Sequence, residues 1–435
     1  MQETQSPIQT RAARLLGNLA ALALVALMLV CALPKAALAT TSGTDRIGNL
    51  TATERGCTIK QVPNVTCTYG ILTDADGNVL WSRQPDAQTA MASITKVMTA
   101  ILVLEDSSLT PQTMVTIGAD AAATGESEVG LVAGTQVSVN DLLQGLLVHS
   151  GNDCAVALAD AVSGSSDAFV AQMNAKAQEL GMTSTKFATP SGLDENVDHH
   201  STASDLVLMC RYVMSNETFR SIVAMTKCTV SNGQQQVSFD STNELFGMLD
   251  GVEGIKTGYT SKAGNCLASA AVQNGLELYC VVLGCPTEKD RFTDSQTLLN
   301  WGFAHYKQMT LATAGTDAAE VALIDWIDRT VMAEIPQDVQ ASVFDFDGAV
   351  DQVVNIKDVS GDVKKGQVLG NVQWKQGDHV IATSSIVAAE DAKAPAWYEA
   401  FSIALRRGWA HVFGGQTQAE SQSLLDPITI TPATS

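Results

Sequence analysis

Residues 91–100 read MASITKVMTA, and two side chains there could do chemistry: the hydroxyl of Ser93 and the amine of Lys96. Three positions apart, they share one face of a helix, a turn from each other. A serine hydroxyl is a poor nucleophile until a neighbouring base takes its proton. A lysine serves as that base only when desolvation or a nearby positive charge lowers its pKa towards neutrality. Lys96 is the sole charged residue between Asp86 and Glu105, so an apolar helix supplies the desolvation. A lysine on an ordinary helix surface would have polar neighbours on its face, and only Thr95 and Thr99 are near. S-x-x-K occurs once in the chain, yet alone it is a weak signal.

Two further groups are candidates. Ser150-Gly151-Asn152 falls at a break between helical runs, where side chains can point into a cleft. A further S-x-N at Ser241-Thr242-Asn243 shows that the pattern alone is unspecific; turn chemistry or helix capping is its ordinary use. Lys256-Thr257-Gly258 lies in a run that reads as a strand. A cation, a hydroxyl and a glycine permitting close backbone approach suit an anionic, extended ligand docked along a strand edge. The commoner fate of such a triplet is an exposed lysine beside a turn.

The elements that must position these groups are legible in outline. TCTYGILTDADGNVLWSRQP reads as a hairpin turning at Asp76-Gly77-Asn78. The segment 91–104 reads as a helix, apolar nearly all round and therefore buried. Two helical runs in 141–162 break at Ser150-Gly151-Asn152, and helices follow over 167–180 and 203–214. GVEGIKTGYT, NCLASAAVQ and LELYCVVLG read as successive strands, and a helix near 289–306 closes the unit. Strands at both ends with helices between predict an α+β domain over 50–306 whose central sheet joins the two ends.

From 307 to 392 short alternating runs between Gly and Asp turns predict a small all-β domain. Residues 394–414 contain Trp397, Phe401, Leu405 and Trp409 at every fourth position, with Val412, Phe413, Arg406 and Arg407. That pattern fits either a helix lying in a membrane interface over 395–413 or an ordinary helix packed on the β domain. Residues 415–435 read as a flexible tail.

The chain has 435 residues, 46% apolar and 17% charged, which is globular. A net charge of −20 argues against a nucleic-acid partner, because phosphate binding wants clustered Lys and Arg. Arg11 and Arg14 precede LLGNLAALALVALMLVCALP, and Ala37-Leu38-Ala39 offers a cleavage site. This predicts a signal peptide over 1–39, with an uncleaved membrane anchor as the alternative; both place the remainder outside the cytoplasm. Cys57 and Cys67 bracket a short polar loop and are the best disulfide candidates. The other exported cysteines sit mostly in apolar surroundings. No CxxC, HExxH or histidine cluster suggests a metal.

S-x-x-K, then S-x-N, then K-T-G, separated by 54 and 104 positions, is the ordered signature of active-site serine penicillin-binding proteins and β-lactamases. The stretches DGNVLWSR, ASITKVMTA, LLVHSGNDCAVALAD, FVAQMNAKAQELGMTSTKFATPSGLDE, HSTASDL and TNELFGMLDGVEGIKTGYTSKAG extend the match. Over about 66–305 the chain resembles the D-alanyl-D-alanine carboxypeptidases, the low-molecular-mass penicillin-binding proteins. VKKGQVLGNV resembles that family's small C-terminal β domain, and the terminal amphipathic helix is similar to the membrane anchor of many members.

The resemblance implies a penicillin-binding/β-lactamase-like fold, no cofactor, and a D-Ala-D-Ala-ended peptidoglycan stem peptide and β-lactams as partners. It implies that Ser93 is acylated and that Lys96 accepts its proton, kept neutral in part by Lys256. Ser150 and Asn152 relay a proton to the leaving amine and hold the substrate amide. Lys256 and Thr257 bind the terminal carboxylate, Gly258, Tyr259 and Thr260 complete the binding strand, and the N–H groups of Ser93 and Tyr259 form the oxyanion hole. Two departures stand out: Met91 where many members have proline, and Cys154 where alanine is usual. A β-lactamase, or a non-catalytic peptidoglycan-binding protein on the same fold, are the alternatives.

Overall fold

The computed structural model describes residues 45–431; the expected signal segment, 1–39, lies outside them. The first part is built on one antiparallel sheet of seven strands. Two short strands, β1 (Arg46–Ile47) and β2 (Leu50–Thr51), precede the hairpin of β3 (Tyr69–Asp74) and β4 (Val79–Arg83). The three strands expected after residue 250 are β5 (Val252–Thr260), β6 (Gly264–Gln273) and β7 (Leu276–Cys285). Their order is β2-β1-β4-β3-β7-β6-β5, so β3 and β7 join the two ends of the segment and β5 is an edge. β1 and β2 were too short to leave a pattern in the sequence. A buried ion pair of 2.7 Å between Asp45 and Arg83 ties that leading chain to the sheet.

Alternate residues of each strand face opposite sides, and each side has its own core. Ile71, Ala268 and Val281 face α1 (Lys96–Glu105), α2 (Asn152–Ser163), α3 (Ser166–Glu179) and α4 (Ala203–Val213). Leu72, Leu267 and Val282 face α5 (Glu288–His305) through Phe292, Leu298 and Leu299. α1 is buried on all sides, as its uniform apolarity requires; only Leu102, Leu104 and Glu105 reach the surface. The short hairpins 114–116/136–138 and 227–231/236–240 were not anticipated, being polar on alternate positions; Val115, Val137, Cys228 and Val230 pack on the helical core.

The second part is an all-β unit with its own core around Val331, Trp374 and Ile386. Its main sheet comprises β8 (Asp317–Ala322), β9 (Thr330–Glu334), β10 (Val350–Ile356), β11 (Val368–Gln376), β12 (His379–Ala388) and β13 (Gln422–Ser423), ordered β10-β11-β12-β9-β8-β13. β13 lies within the segment expected to be a flexible tail. There Leu425, Ile428 and Ile430 pack on this core, and Ile428 bridges to Val350. The two parts meet through His305 Nδ1 on Asp345, 3.0 Å, and Arg55 on Asp347, 2.7 Å.

α6 (Trp397–Phe413) touches the β unit along one line only: Ile403 enters its core, and Arg407 donates to the carbonyls of Ile324 (2.6 Å) and Trp326 (3.0 Å). Arg407 therefore fastens the helix instead of contributing to a free basic patch. The opposite face is bare, with Trp397 84%, Phe401 68% and Trp409 65% exposed. Among the described residues no single helix is long and apolar enough to cross a membrane.

Candidate active site

The helix expected over 91–104 opens as a 3-10 turn, Ala92–Thr95, before becoming α1. Ser93 and Lys96 thus stand at the entry of a buried helix, with Lys96 Nζ 2.7 Å from Ser93 Oγ. Lys96 Nζ also donates to Asn152 Oδ1 at 2.7 Å and to the Ser191 carbonyl at 2.9 Å. These last two atoms can only accept. A neutral amine has two protons and one lone pair. In its neutral form the amine can give both protons to Asn152 and Ser191 and turn its lone pair to the serine O–H. Burial lowers Lys96 from 10.5 to about 7, while its neighbours Cys154, Asp153 and Glu126 all pull the other way. Desolvation, as expected from the apolar helix, is what lowers this lysine towards a base, while the repulsion between Lys96 and Lys256 bears on Lys256.

Ser150 has a left-handed backbone, φ +74°, at the break between a π turn (Gly145–His149) and α2. This reversal sends Asn152 into the site at the start of α2, and Asn152 Nδ2 donates to the Gly125 carbonyl at 3.0 Å. Asp153, to which no role had been assigned, accepts from the N–H groups of Val129, Gly130 and Leu131 at 2.9–3.1 Å. Asn152 and Asp153 together lace the loop 125–131 to the helix that carries the site. Ser241-Thr242-Asn243 serves as a cap, Asn243 Oδ1 accepting from Leu245 N–H, while Thr242 Oγ1 touches Thr257 Oγ1 at 2.7 Å.

Lys256, Thr257 and Gly258 run along the edge strand β5, against the Ser93 turn. A Cβ at Gly258 would lie 3.0 Å from the Met91 carbonyl oxygen and 3.2 Å from Ser93 N, so glycine is what allows this approach. Lys256 is buried, with its Nζ donating to the Thr257 carbonyl at 3.1 Å. Burial lowers it well below the usual lysine range, and the charges of Lys96 and Arg291 lower it further. Arg291 from α5, which donates to the Gly258 carbonyl at 3.3 Å, adds positive charge behind the strand. No motif in the sequence marked it.

Tyr259 is exposed at the rim. The Thr260 hydroxyl donates to Asp194 at 2.9 Å and accepts from Ala263 N–H, so it fastens the loop at 189–197 while Thr260 also lines the cleft beside it. Between that loop, Glu126 and the end of β5 opens a cleft of about 720 Å³. Cys154 is wholly buried and its thiol is pushed well above the usual range, first by burial and then by Asp153. It fills the space between Gly145 and Gly151, where added Cβ atoms would come within 2.8 and 3.1 Å of its sulfur. The expected Cys57–Cys67 disulfide is absent: all eight described cysteines are free thiols, and Cys67 is buried in the sheet's core while Cys57 is half-exposed.

A serine at a buried helix entry, a desolvated lysine against it, and a Lys-Thr-Gly edge strand alongside define an active-site serine protein of the penicillin-binding class. A model of the D-alanyl-D-alanine carboxypeptidase family matches residues 57–287, and the chain belongs to that family. It is similar to D-alanyl-D-alanine carboxypeptidase DacF of Bacillus subtilis, 31% identical over 326 residues, or 73% of this chain and 83% of the relative. It is likewise similar to DacB2 of Mycobacterium tuberculosis, 36% identical over 265 residues, or 58% of this chain and 87% of that one. Penicillin-binding protein 5 from Haemophilus influenzae shares the fold with a TM-score of 0.57 and 30% identity, over 76% of this chain and 98% of its own.

Proposed function

We propose that the protein is a serine-type D-Ala-D-Ala carboxypeptidase that removes the terminal D-alanine of peptidoglycan stem peptides through an acyl-serine intermediate. The observation that carries this reading is the buried Lys96 amine, 2.7 Å from Ser93 Oγ and bonded as well to Asn152 Oδ1 and the Ser191 carbonyl. As Ser93 Oγ attacks the penultimate D-alanine carbonyl, its proton passes to Lys96 Nζ. The N–H groups of Ser93 and Tyr259 stabilise the oxyanion. The C–N bond then breaks, and the terminal D-alanine leaves as an amine protonated by way of Ser150. Lys256 and Thr257 hold that residue's carboxylate, whose charge restores the proton Lys256 loses through burial. Asn152 orients both Lys96 and the substrate amide. Water, with Lys96 again the base, hydrolyses the ester. A β-lactam ring acylates Ser93 in the same way.

The test is incubation with a D-Ala-D-Ala-ended peptide and with fluorescent penicillin. D-alanine release and a lasting label, both lost in Ser93→Ala, are expected; absence of both in the native protein would leave a non-catalytic binding role. The β-lactamase reading turns on a carboxylate that activates water. Asp153 has its oxygens taken by backbone N–H groups, so that role would fall to Glu126, which lines the cleft. Rapid penicillin turnover, abolished in Glu126→Gln, would favour it.

The bare aromatic face of α6 supports attachment to a membrane surface. Together with the targeting pattern before residue 40, it favours a place at the outer face of the cytoplasmic membrane.

A further inference from the structure

Ala92, immediately before Ser93, has φ +49°, a left-handed conformation that a non-glycine residue keeps only where its surroundings enforce it. The enforcing contacts run in one line. Thr95 Oγ1 donates to the Ala92 carbonyl at 2.7 Å, and the same oxygen lies 2.7 Å from His199 Nε2. His199 Nδ1 accepts from the Ala188 N–H at 2.9 Å. An acceptor at Nδ1 puts the proton of a neutral imidazole on Nε2. Nε2–H therefore donates to Thr95 Oγ1, which leaves the threonine proton free for Ala92. The direction of every bond is fixed, and His199, Thr95 and Ala92 are all fully buried.

The imidazole is neutral at any working pH: burial first, then His200 and Lys262, lower it to about 4, against a smaller opposing pull from Asp198. Gly192 presses on the same turn, since a Cβ there would fall 2.0 Å from the Ala92 oxygen.

We propose that His199 is a positioning residue for acylation. Acting through Thr95, it holds the Ala92 carbonyl and so sets where Ser93 Oγ and Ser93 N–H stand relative to the Lys96 amine. This rests on Ser93 being the nucleophile, and Ser93→Ala tests that separately: labelling by penicillin that survives in it refutes the nucleophile, whatever His199 does.

The experiment measures the acylation rate with fluorescent penicillin at saturation, its pre-covalent affinity, and thermal melting in four variants. His199→Gln keeps a donor near the Nε2 position; His199→Asn keeps only the acceptor for Ala188; His199→Phe keeps volume alone; Thr95→Val removes the hydroxyl. Loss of one directed hydrogen bond should slow acylation about tenfold in the Asn, Phe and Val variants, while Gln stays within about threefold of the native rate and affinity is unchanged throughout. The His199→Asn/Thr95→Val double variant should be no slower than either single one, because both cut the same line. Equal rates in the Gln and Asn variants, rates that simply follow the melting temperatures, or multiplying losses in the double variant would overturn the proposal.

Discussion

At Lys96 the chain accepts an amine with no solvent and no counter-ion of its own. The consequence is kinetic: the lysine must shed its proton to act, and burial brings that step down to about 7. Because the neutral form is the active one, the acylation rate should climb as pH rises through about 7 and level off above it. Lys96→Arg, which cannot deprotonate, should abolish the climb and nearly all of the rate. A stopped-flow profile with penicillin checks both; a rate that begins to rise only near the ordinary lysine pKa would mean the amine is solvated in solution. What the sequence conveyed here was the contrast between one cation and its apolar run. The partners that orient it, Asn152 Oδ1 and the Ser191 carbonyl, come from 56 and 95 positions away. Only folding brings them within reach.

Among the elements, the site depends on how closely β5 lies against the 3-10 turn that carries Ser93. Gly258 sets that distance, and Gly258→Ala would set its new methyl against the Met91 carbonyl and Ser93 N. Since a misplacement of well under 1 Å at reacting groups is costly, we expect acylation to fall by roughly ten- to a hundredfold with little change in melting temperature. An unchanged rate would show that the strand has room to move.

Helices and long strands were readable because their apolar periodicity is strong, as in α1 and in β6 and β7. β1, β2 and the two small hairpins were not, because strands of two to five residues carry too few buried positions to make a pattern. Thr260 shows what motif reasoning leaves out: its place after Lys-Thr-Gly suggested substrate, but not the bond its hydroxyl makes to Asp194, 66 positions away.

For the whole molecule, the β unit gives α6 a platform and turns its aromatic face outward. If that face meets lipid, Trp397→Ser, Phe401→Ser and Trp409→Ser together should abolish sedimentation with anionic phospholipid vesicles. Hydrolysis of a soluble peptide should stay unchanged, because these side chains lie on α6 and the reaction lies in the peptidase unit. Continued vesicle binding by the triple variant would assign the face to another partner. The tail that composition alone made look flexible belongs to this platform, since Leu425, Ile428 and Ile430 pack, half-buried, against its core.

The account stands or falls on a covalent bond at Ser93 formed by the peptide itself. The most direct measurement is mass spectrometry of the protein quenched in acid during turnover of a D-Ala-D-Ala-ended peptide. We expect an adduct equal to the peptide less its terminal D-alanine, on the fragment containing Ser93, with free D-alanine accumulating in solution. D-alanine release with no adduct at any quench time in the native protein and undiminished release by Ser93→Ala would contradict it.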